Sequence, residues 1–513
     1  MASSPKLNEY ERKRLENIRR NNEMMAALNV QSKATALSNH SKNQKIVTKS
    51  KVKSDKKPKT ETPIVSRHSL RKRGIPPDSE GLFLKSNTST HNSPNKAKNF
   101  VQNLGPISMK DAYKGVDDSD RSFIESLVGM SNKELSEEKL NGSAKKIKTE
   151  CSLDLESLSL DPENIASVLP GRITQVQFCP SKDVNMIAAA DIFGDIGFWK
   201  VGESEIFLYH PHEAPISGIL FQQHCLSKIY TSCYDGFIRM MDAEKEIFDM
   251  VYNGSESDNG CIYALSQPKN DANCLYFSEG KGGLAVLDNR IGKCSSHWDL
   301  HEARINTIDF NPQSSHIVAT SSSDGTACTW DLRCIGGPKH TALRTFPHKK
   351  SVQSAYFSPS GCSLATTSIA NTVRIYSGVN LEYKTSVYHF NQTGGWLSTF
   401  RAIWGWDNSH LFIGNMDGGV DIVSTVQKAT VKTLEIPDIV STVQKATVKT
   451  LETPDMSAIP CRFDAHPYNV GMLAGATSGG QIYVWTDPNL LQSKKHTFTH
   501  SSVPDCRIKI EQL

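Results

Sequence analysis

No run in this sequence approaches the roughly 18–20 apolar residues that a membrane-spanning helix requires. A signal-peptide pattern is also missing, because Glu9, Glu11 and Arg12 interrupt the first apolar residues. None of the 12 cysteines belongs to a CxxC pair or to a zinc-binding spacing. We therefore expect an intracellular protein that contacts no membrane, holds no metal and keeps most of its cysteines as small buried hydrophobic residues.

Catalytic patterns are equally scarce. The chain has no Ser-His-Asp order, no glycine-rich loop that would hold a phosphate, and no pair of carboxylates on one strand. These absences predict a protein that is not an enzyme, that uses no cofactor and that takes no small-molecule substrate.

The charge of the chain is unevenly distributed. Residues 1–73 hold 19 lysines and arginines against 6 acidic residues, a net charge of +13, so the rest carries −9 of the total of +4. A basic arm on an acidic body indicates contact with a polyanion through the arm. The alternative is that the arm is only solvated and disordered.

The front of the chain is polar. Residues 1–30 are predicted to be a helical motif, because apolar residues fall near helical spacing over 6–29, and residues 31–160 are predicted to be a disordered linker, first basic and then acidic. A short amphipathic stretch around Phe123 in that linker predicts one helix. Basic clusters indicate nuclear import or nucleic-acid contact, with solvated charge as the alternative; they lie at 56–59, 71–73 and 145–148.

From about residue 165 one pattern of short strands and turns recurs seven times. The clearest copy, INTIDFNPQSSHIVATSSSDGTACTWD, spans residues 305–331. Equivalent third-strand positions are Trp199, Met241, Leu287, Trp330, Tyr376, Val423 and Trp485. Their spacings of 42, 46, 43, 46, 47 and 62 residues match the WD-repeat period of roughly 40–45 residues except at the last step. The sequence therefore predicts an all-β fold, a seven-bladed WD-repeat β-propeller over 165–490, followed by a tail at 491–513.

An internal duplication explains the long last step. Residues 421–437 are repeated at 438–454 with the single change of Ile436 to Thr453, and without the 17 extra residues the spacing returns to 45. We expect one copy to complete the outer strand of the sixth blade and the other to loop out. A recent duplication and an error in the gene model both remain as explanations.

Several polar residues in the repeats fit a structural role. His301, a serine of the 321–323 run, Asp324 and Trp330 match the hydrogen-bonded set that ties the strands of a WD repeat together, and His212 and His348 occupy the same point in their blades. Structural groups of this kind are more common than catalytic ones.

Four stretches are more specific than a generic WD repeat. They are LNEYERKRLENIRRNNEMMAAL near the start, VLPGRITQVQF at 168–178, HKKSVQSAYFSPSG at 348–361 and HFNQTGGWLSTFRAIW at 389–404. Together they resemble the WD repeat-containing protein 76 family, which includes the yeast changed-mutation-rate protein and is similar to the smaller subunit of the damage-specific DNA-binding complex. The resemblance implies a nuclear, DNA-binding propeller that acts in the DNA damage response or in chromatin regulation.

The resemblance also implies a DNA site. In the related damage-binding subunit a hairpin between blades five and six enters the minor groove, and here that segment begins at His389 and contains Gln392, Thr393 and Trp396, followed by Arg401. An apolar wedge opens a base step most easily where pairing is weak. The family usually has arginine where this chain has Gly395, which predicts weaker DNA binding. The alternative for Trp396 is that it packs under the loop as core.

Other basic residues stand at strand entrances on the same face. Arg172, Lys349 and Lys350 are predicted to neutralise phosphates of double-stranded DNA, whether intact, damaged or modified. Their alternative is solvated surface charge.

A second signal concerns protein partners. Trp330, Asp331 and Arg333 match the WDxR box of substrate receptors for cullin-4 ubiquitin ligases, and Arg290 ends a weaker second copy. The box predicts contact with the ligase adaptor on the face opposite the DNA site, although Trp330 and Asp331 are ordinary WD-repeat residues. A protein-interaction scaffold, binding the adaptor or histones without DNA, is thus the alternative function.

Overall fold

The computed structural model describes residue 19 and residues 105–115, 120–140, 155–254, 260–336, 340–425 and 447–487. The chain divides into two compact units, 1–75 and 76–513, and the helical Arg19 is the one described residue of the first. The rest of the helix predicted over 6–29, the three basic clusters and the tail at 491–513 lie outside the described residues.

Within the described residues 105–167, two strands and two helices precede the first blade. They are β1 (Ile107–Ser108), α1 (Met109–Ala112), α2 (Asp120–Leu140) and, after a 3-10 turn at Leu155–Ser157, β2 (Ser159–Ser167). No helix within the described part of the chain has the length and apolar character needed to span a bilayer.

Blades one to four follow in chain order. Blade one has β3 (Ile173–Phe178), β4 (Met186–Asp191), β5 (Ile196–Lys200) and β6 (Ile206–Tyr209). Blade two has β7 (Ile216–Phe221), β8 (Lys228–Cys233), β9 (Phe237–Asp242) and β10 (Ile247–Asn253). Blade three has β11 (Ile262–Ser266), β12 (Cys274–Glu279), β13 (Gly283–Asp288) and β14 (Lys293–Asp299). Blade four has β15 (Ile305–Asn311), β16 (Ser314–Ser322), β17 (Thr326–Asp331) and β18 (Arg344–Pro347).

The last three blades complete a seven-bladed β-propeller. Blade five has β19 (Val352–Phe357), β20 (Leu364–Ser368), β21 (Thr372–Ser377) and β22 (Tyr383–Tyr388). Blade six has β23 (Ile403–Trp404), β24 (His410–Gly414), β25 (Val420–Ser424) and β26 (Thr447–Leu451). Blade seven has β27 (Pro460–Ala465), β28 (Leu473–Thr477) and β29 (Gln481–Thr486), and β2 supplies its outer strand.

The predicted repeat is confirmed strand by strand. The seven equivalent positions all lie in third strands and pair across to second strands: Trp199 with Ile187, Met241 with Ile229, Leu287 with Leu275, Trp330 with Val318, Tyr376 with Leu364, Val423 with Leu411, and Trp485 with Leu473. All seven are buried between blades. Full burial of such side chains contributes about 1.5–3 kcal/mol each, which explains why the period is so visible in the sequence.

The turn between the second and third strands has one backbone requirement. A residue with φ between +59° and +99° occupies it in every blade: Gly194, Gly236, Gly282, Gly325, Asn371, Gly418 and Gly480. Glycine adopts this conformation without strain and asparagine tolerates it, so six glycines and one asparagine hold these turns.

The segment before the propeller differs from the expected disordered linker. β1 pairs with β10 and adds a fifth strand to blade two. The predicted helix is present as α2, and its Phe123 is buried against Phe198 and Phe207, with ring centroids 4.9 and 4.7 Å away. This burial of aromatic surface explains why residues of a polar region order on blades one and two.

Blade six combines both copies of the duplication. β25 ends in the first four residues of the first copy, and β26 comes from the second copy. The second copy therefore supplies the outer strand, while residues 426–446, between these strands, lie outside the described residues.

The hydrogen-bonded set of blade four uses a different hydroxyl from the one predicted. His301 bonds to Asp324 through Nδ1 at 2.9 Å and to Thr320 Oγ1 through Nε2 at 2.7 Å, and Trp330 Nε1 donates to Thr320 Oγ1 at 2.8 Å. Thr320 takes the place expected for a serine, while the serines of the 321–323 run bond to groups near the start of β15 and Ser322 Oγ also accepts from Asp324 N–H at 3.2 Å.

Strand direction gives the ring two distinct faces. Each inner strand begins at the face we call the top, which carries the connections between blades, including 168–172, 300–304, 348–351, 389–402 and 452–459, and the turns between second and third strands. The bottom face carries the other connections, including 201–205, 289–292, 332–336 and 405–409. The inner strands surround the centre of the ring, which we call the central channel.

Candidate nucleic-acid interface

The longest fully described connection on the top face is the loop 389–402, which leads from blade five to blade six. The expected hairpin is absent: the loop contains no strand, and its one turn is closed by Leu397 N–H donating to Gly394 O at 3.1 Å. Leu397 and Phe400 are buried, which anchors the second half of the loop to the propeller instead of pairing it with the first half.

Polar side chains anchor the first half. Asn391 is buried, and its side-chain Nδ2 donates to the carbonyl of Ser368 at 2.9 Å. Its backbone N–H donates to Asn371 Oδ1 at 3.1 Å. His389 Nδ1 lies 2.6 Å from Asn391 Oδ1. Phe390, the residue between His389 and Asn391, is exposed, as are three of the five residues at 392–396.

The outward residues form the tip of the loop. Trp396 is 64% exposed, Gln392 is exposed and Thr393 is half-buried. Trp396 is therefore not core, which removes the alternative considered for it. A Cβ placed on Gly395 would have no neighbour within 4 Å, so the arginine usual in the family would fit beside the indole.

Two of the predicted arginines contact this part of the molecule. Arg172 donates from Nη1 to Gly395 O at 2.8 Å and so joins the entrance of blade one to the loop tip. Arg401 ends the loop and donates from Nη2 to Asn306 O at 3.2 Å, in blade four. The backbone oxygens they bind carry no charge, so neither arginine is neutralised by these contacts.

Lys349 and Lys350 are exposed on the same face, in the connection that enters blade five. No hydrogen bond joins them to the loop among the residues that the structure describes. They are thus additional positive charges near the loop rather than part of its framework.

Arg462, in the inner strand β27, was missed by sequence reasoning. It donates from Nε to Thr174 O at 2.9 Å and from Nη1 to Thr399 O, in the same loop as Trp396. Burial, and after it the positive charge of Arg401, lower the pKa of Arg462 to about 9. A lone arginine in a short strand gives no signal in one sequence.

The bottom half of the channel has a different character. It contains a cavity of about 650 Å³ whose polar lining includes Gln175, Gln177, Lys269, Asp309, Asp407 and Asp464. Asp309 accepts from Phe357 N–H at 2.6 Å, and Asp464 accepts from Phe178 N–H at 2.7 Å, which ties each carboxyl group to the next blade. Burial raises the pKa of both to about 7.

Both WDxR-type arginines adopt one geometry on the bottom face. Arg333 donates from Nε and Nη2 to the two oxygens of Asp331 at 2.9 and 2.7 Å. Arg290 does the same to Asp288 at 3.0 and 2.7 Å. Both arginines remain largely exposed, while Trp330 is buried and Asp331 serves as the ion-pair partner.

One group of described residues has ligand atoms close enough to hold a metal ion: His212, Cys233 and Asp235. Both ring nitrogens of His212 are already bonded, to Asp235 at 3.1 Å and to Thr231 at 2.9 Å. Burial raises the pKa of the Cys233 thiol well above its usual range, which disfavours the thiolate that would bind a metal. The group repeats the structural arrangement of His301.

Comparison with known proteins agrees with this architecture. The family model described as "WD domain, G-beta repeat" matches residues 292–331 and 340–377. A Xenopus laevis protein named "WD repeat-containing protein 76" is 29% identical over 78% of this chain and 69% of its own length. Proteins named "DNA damage-binding protein CMR1" from Phaeosphaeria nodorum and "DNA damage-binding protein cmr1" from Neurospora crassa are 26% and 25% identical, over 93% of this chain and 98% of theirs. The resemblance to these homologues is confirmed over most of the chain.

Proposed function

We propose that this propeller is a nuclear, non-enzymatic protein that binds double-stranded DNA through its top face and acts in the DNA damage response or in chromatin regulation. The observation that carries the proposal is the exposed indole of Trp396 on an anchored loop, beside arginines whose acceptors are neutral. The names of the homologues support it, since some are called DNA damage-binding proteins.

The loop provides two of the elements that groove binding needs. An exposed aromatic ring held by buried neighbours can unstack a base step, at a cost that is least where the pair is damaged or modified. The loop framework supplies the necessary rigidity, because Asn391 and Leu397 fix it on both sides of the ring. Gln392 and Thr393 supply hydrogen-bonding groups next to the wedge.

Positive charges supply the remaining element. Arg172, Lys349 and Lys350 stand on the same face as Trp396 and would contact phosphates on either side of the distorted step. Each phosphate contact releases counterions, so affinity is expected to fall steeply as the salt concentration rises.

Fluorescence anisotropy of the full chain with intact and ultraviolet-damaged duplexes, across a salt series, tests the proposal. Trp396→Ala should weaken binding to the damaged duplex about tenfold or more, since base stacking on an aromatic side chain contributes about 1–3 kcal/mol. Tyr383→Ala is the matched control, because Tyr383 is 67% exposed but begins the outer strand of blade five at the bottom. Equal binding by Trp396→Ala and wild type would refute the role of the loop.

A second candidate function is a substrate receptor that docks on the adaptor of a cullin-4 ubiquitin ligase, or a histone-binding scaffold, without direct DNA contact. The shared pose of Arg333 and Arg290 on neighbouring blades favours the adaptor, because two exposed guanidinium groups held by carboxylates form a repeated feature of the bottom face. Titration with the purified adaptor tests this: Arg333→Ala should weaken binding about tenfold or more. The same variant should leave DNA binding unchanged, and Trp396→Ala should leave adaptor binding unchanged.

A further inference from the structure

Three arginines on the top face bind the loop 389–402 or belong to it. Arg172 binds the carbonyl of Gly395, Arg462 binds that of Thr399, and Arg401 belongs to the loop itself. Their other acceptors, Thr174 O for Arg462 and Asn306 O for Arg401, lie in blades one and four. The guanidinium groups are therefore held in place by backbone from several blades.

None of these arginines forms an ion pair with a carboxylate in the described part of the chain. For Arg462 this is unfavourable, because a buried cation without a counterion loses hydration that a neutral carbonyl only partly replaces. Burial lowers the pKa of Arg462 most, and repulsion from the positive charge of Arg401 lowers it further. A bound anion would relieve both effects.

The same side chains keep donors that no described group accepts. The Nε atoms of Arg401 and Arg172 are buried without a hydrogen-bond acceptor. Arg462 uses Nε and Nη1 for backbone oxygens, which leaves its Nη2 for a ligand. Guanidinium groups present such donors in the planar arrangement that binds the oxygens of a phosphate.

We propose that Arg401 and Arg462 form a binding site for one phosphate group at the top end of the central channel. Arg172 borders the site and links it to the tip of the loop. The inference rests on the proposed function for the source of the phosphate, a nucleic-acid strand that the top face holds. A strand displaced by the Trp396 wedge would lie next to the channel and could place a backbone phosphate there.

The site itself is tested without DNA. Thermal unfolding of the full chain is followed with increasing inorganic phosphate, against sodium chloride of equal ionic strength. Phosphate also stabilises folded proteins by exclusion from their surface, so the informative signal is a stabilisation that saturates at millimolar concentration. Arg401→Met and Arg462→Met should each reduce the fitted phosphate affinity about tenfold, the loss expected for one charge-assisted contact.

Two further variants separate the site from folding effects. Arg462→Lys keeps the positive charge but loses the planar guanidinium donors. It should therefore fold even if Arg462→Met does not, and it should still show reduced phosphate affinity. Arg344→Met is the matched control, because Arg344 also donates to a backbone carbonyl, Asn380 O at 2.7 Å, yet lies on the outer strand of blade four. An unchanged saturating response in Arg401→Met and Arg462→Lys would overturn the site.

The source of the phosphate is tested by competition at a fixed salt concentration. A short single-stranded oligonucleotide should displace inorganic phosphate from the wild type, and a glutamate-rich peptide of equal charge should not. Displacement by the peptide alone would overturn the nucleic-acid source and indicate an acidic protein partner. Duplex binding that depends on Trp396, together with a missing phosphate response, would overturn the site while leaving the proposed function intact.

Discussion

The two ends of the central channel bury charges of opposite sign and treat them differently. At the top, Arg401 and Arg462 repel each other and bind only backbone carbonyls. At the bottom, Asp309 and Asp464 each accept a backbone N–H from the following blade, and burial raises their pKa to about 7. One end holds cations and the other holds carboxyl groups that burial pushes toward their neutral form.

The difference separates a structural role from a binding role. A carboxyl group can become neutral near physiological pH and still accept its hydrogen bond, so the bottom end needs no ligand to be stable. A guanidinium group stays charged even with a pKa near 9, so the top end keeps its repulsion until an anion arrives. The carboxyl groups at the bottom end therefore link neighbouring blades, whereas the arginines at the top end form a candidate binding site.

The largest effect is expected from neutralising the bottom end. Asp309 and Asp464 have a folded-state pKa raised from 3.8 to about 7, so the stability linked to them is full below about pH 4 and is lost as the pH rises through 7. The Asp464→Asn variant keeps an acceptor for Phe178 N–H and removes that loss. Its free energy of unfolding should exceed that of the wild type by about 1–3 kcal/mol at pH 8 and match it near pH 4.

Urea unfolding at the two pH values measures the difference. Asp407→Asn is the control, because it removes an exposed carboxylate at the same end of the channel. The contradicting outcome is a difference in the free energy of unfolding between Asp464→Asn and wild type that is the same at both pH values. The pKa of the Asp464 carboxyl group would then not be raised, and the two ends of the channel would not differ in the way described.

The sequence alone predicts the blades of the propeller better than it predicts the candidate site. The blades were predictable because each third strand carries a buried residue at a nearly fixed interval in the sequence. Packing between blades requires a large apolar side chain at each of these positions. The strand β2, which closes the ring, could not be predicted in this way. It contains Pro162, and its pairing with β29 shifts in register between Leu160 and Ile165. Such an irregular strand lacks the alternation by which strands are recognised.

The site was only partly predictable for a related reason. Sequence and resemblance selected the loop, Trp396 and Arg401, but the exposure of the indole depends on how Asn391 and Leu397 bind the propeller. Arg462 lies 61 positions beyond Arg401 in the sequence, and the two interact because blades six and seven are neighbours in the ring. Contacts between side chains of different blades carry no periodic signal, so the arginine pair could be found only in the folded chain.

The smaller effect is expected from strengthening the top end. Gly395→Arg introduces the residue usual in the related family, at a position where an added Cβ meets no atom within 4 Å. One more cation beside Trp396 should raise DNA affinity about three- to tenfold and steepen the salt dependence by about one phosphate contact. Gly336→Arg is the matched control, because Gly336 has equal room but belongs to the bottom face. Anisotropy across a salt series compares the two variants. An equal gain from both would mean that net charge alone drives binding, whereas a gain confined to Gly395→Arg would place the DNA on the face where the arginines lack acidic partners.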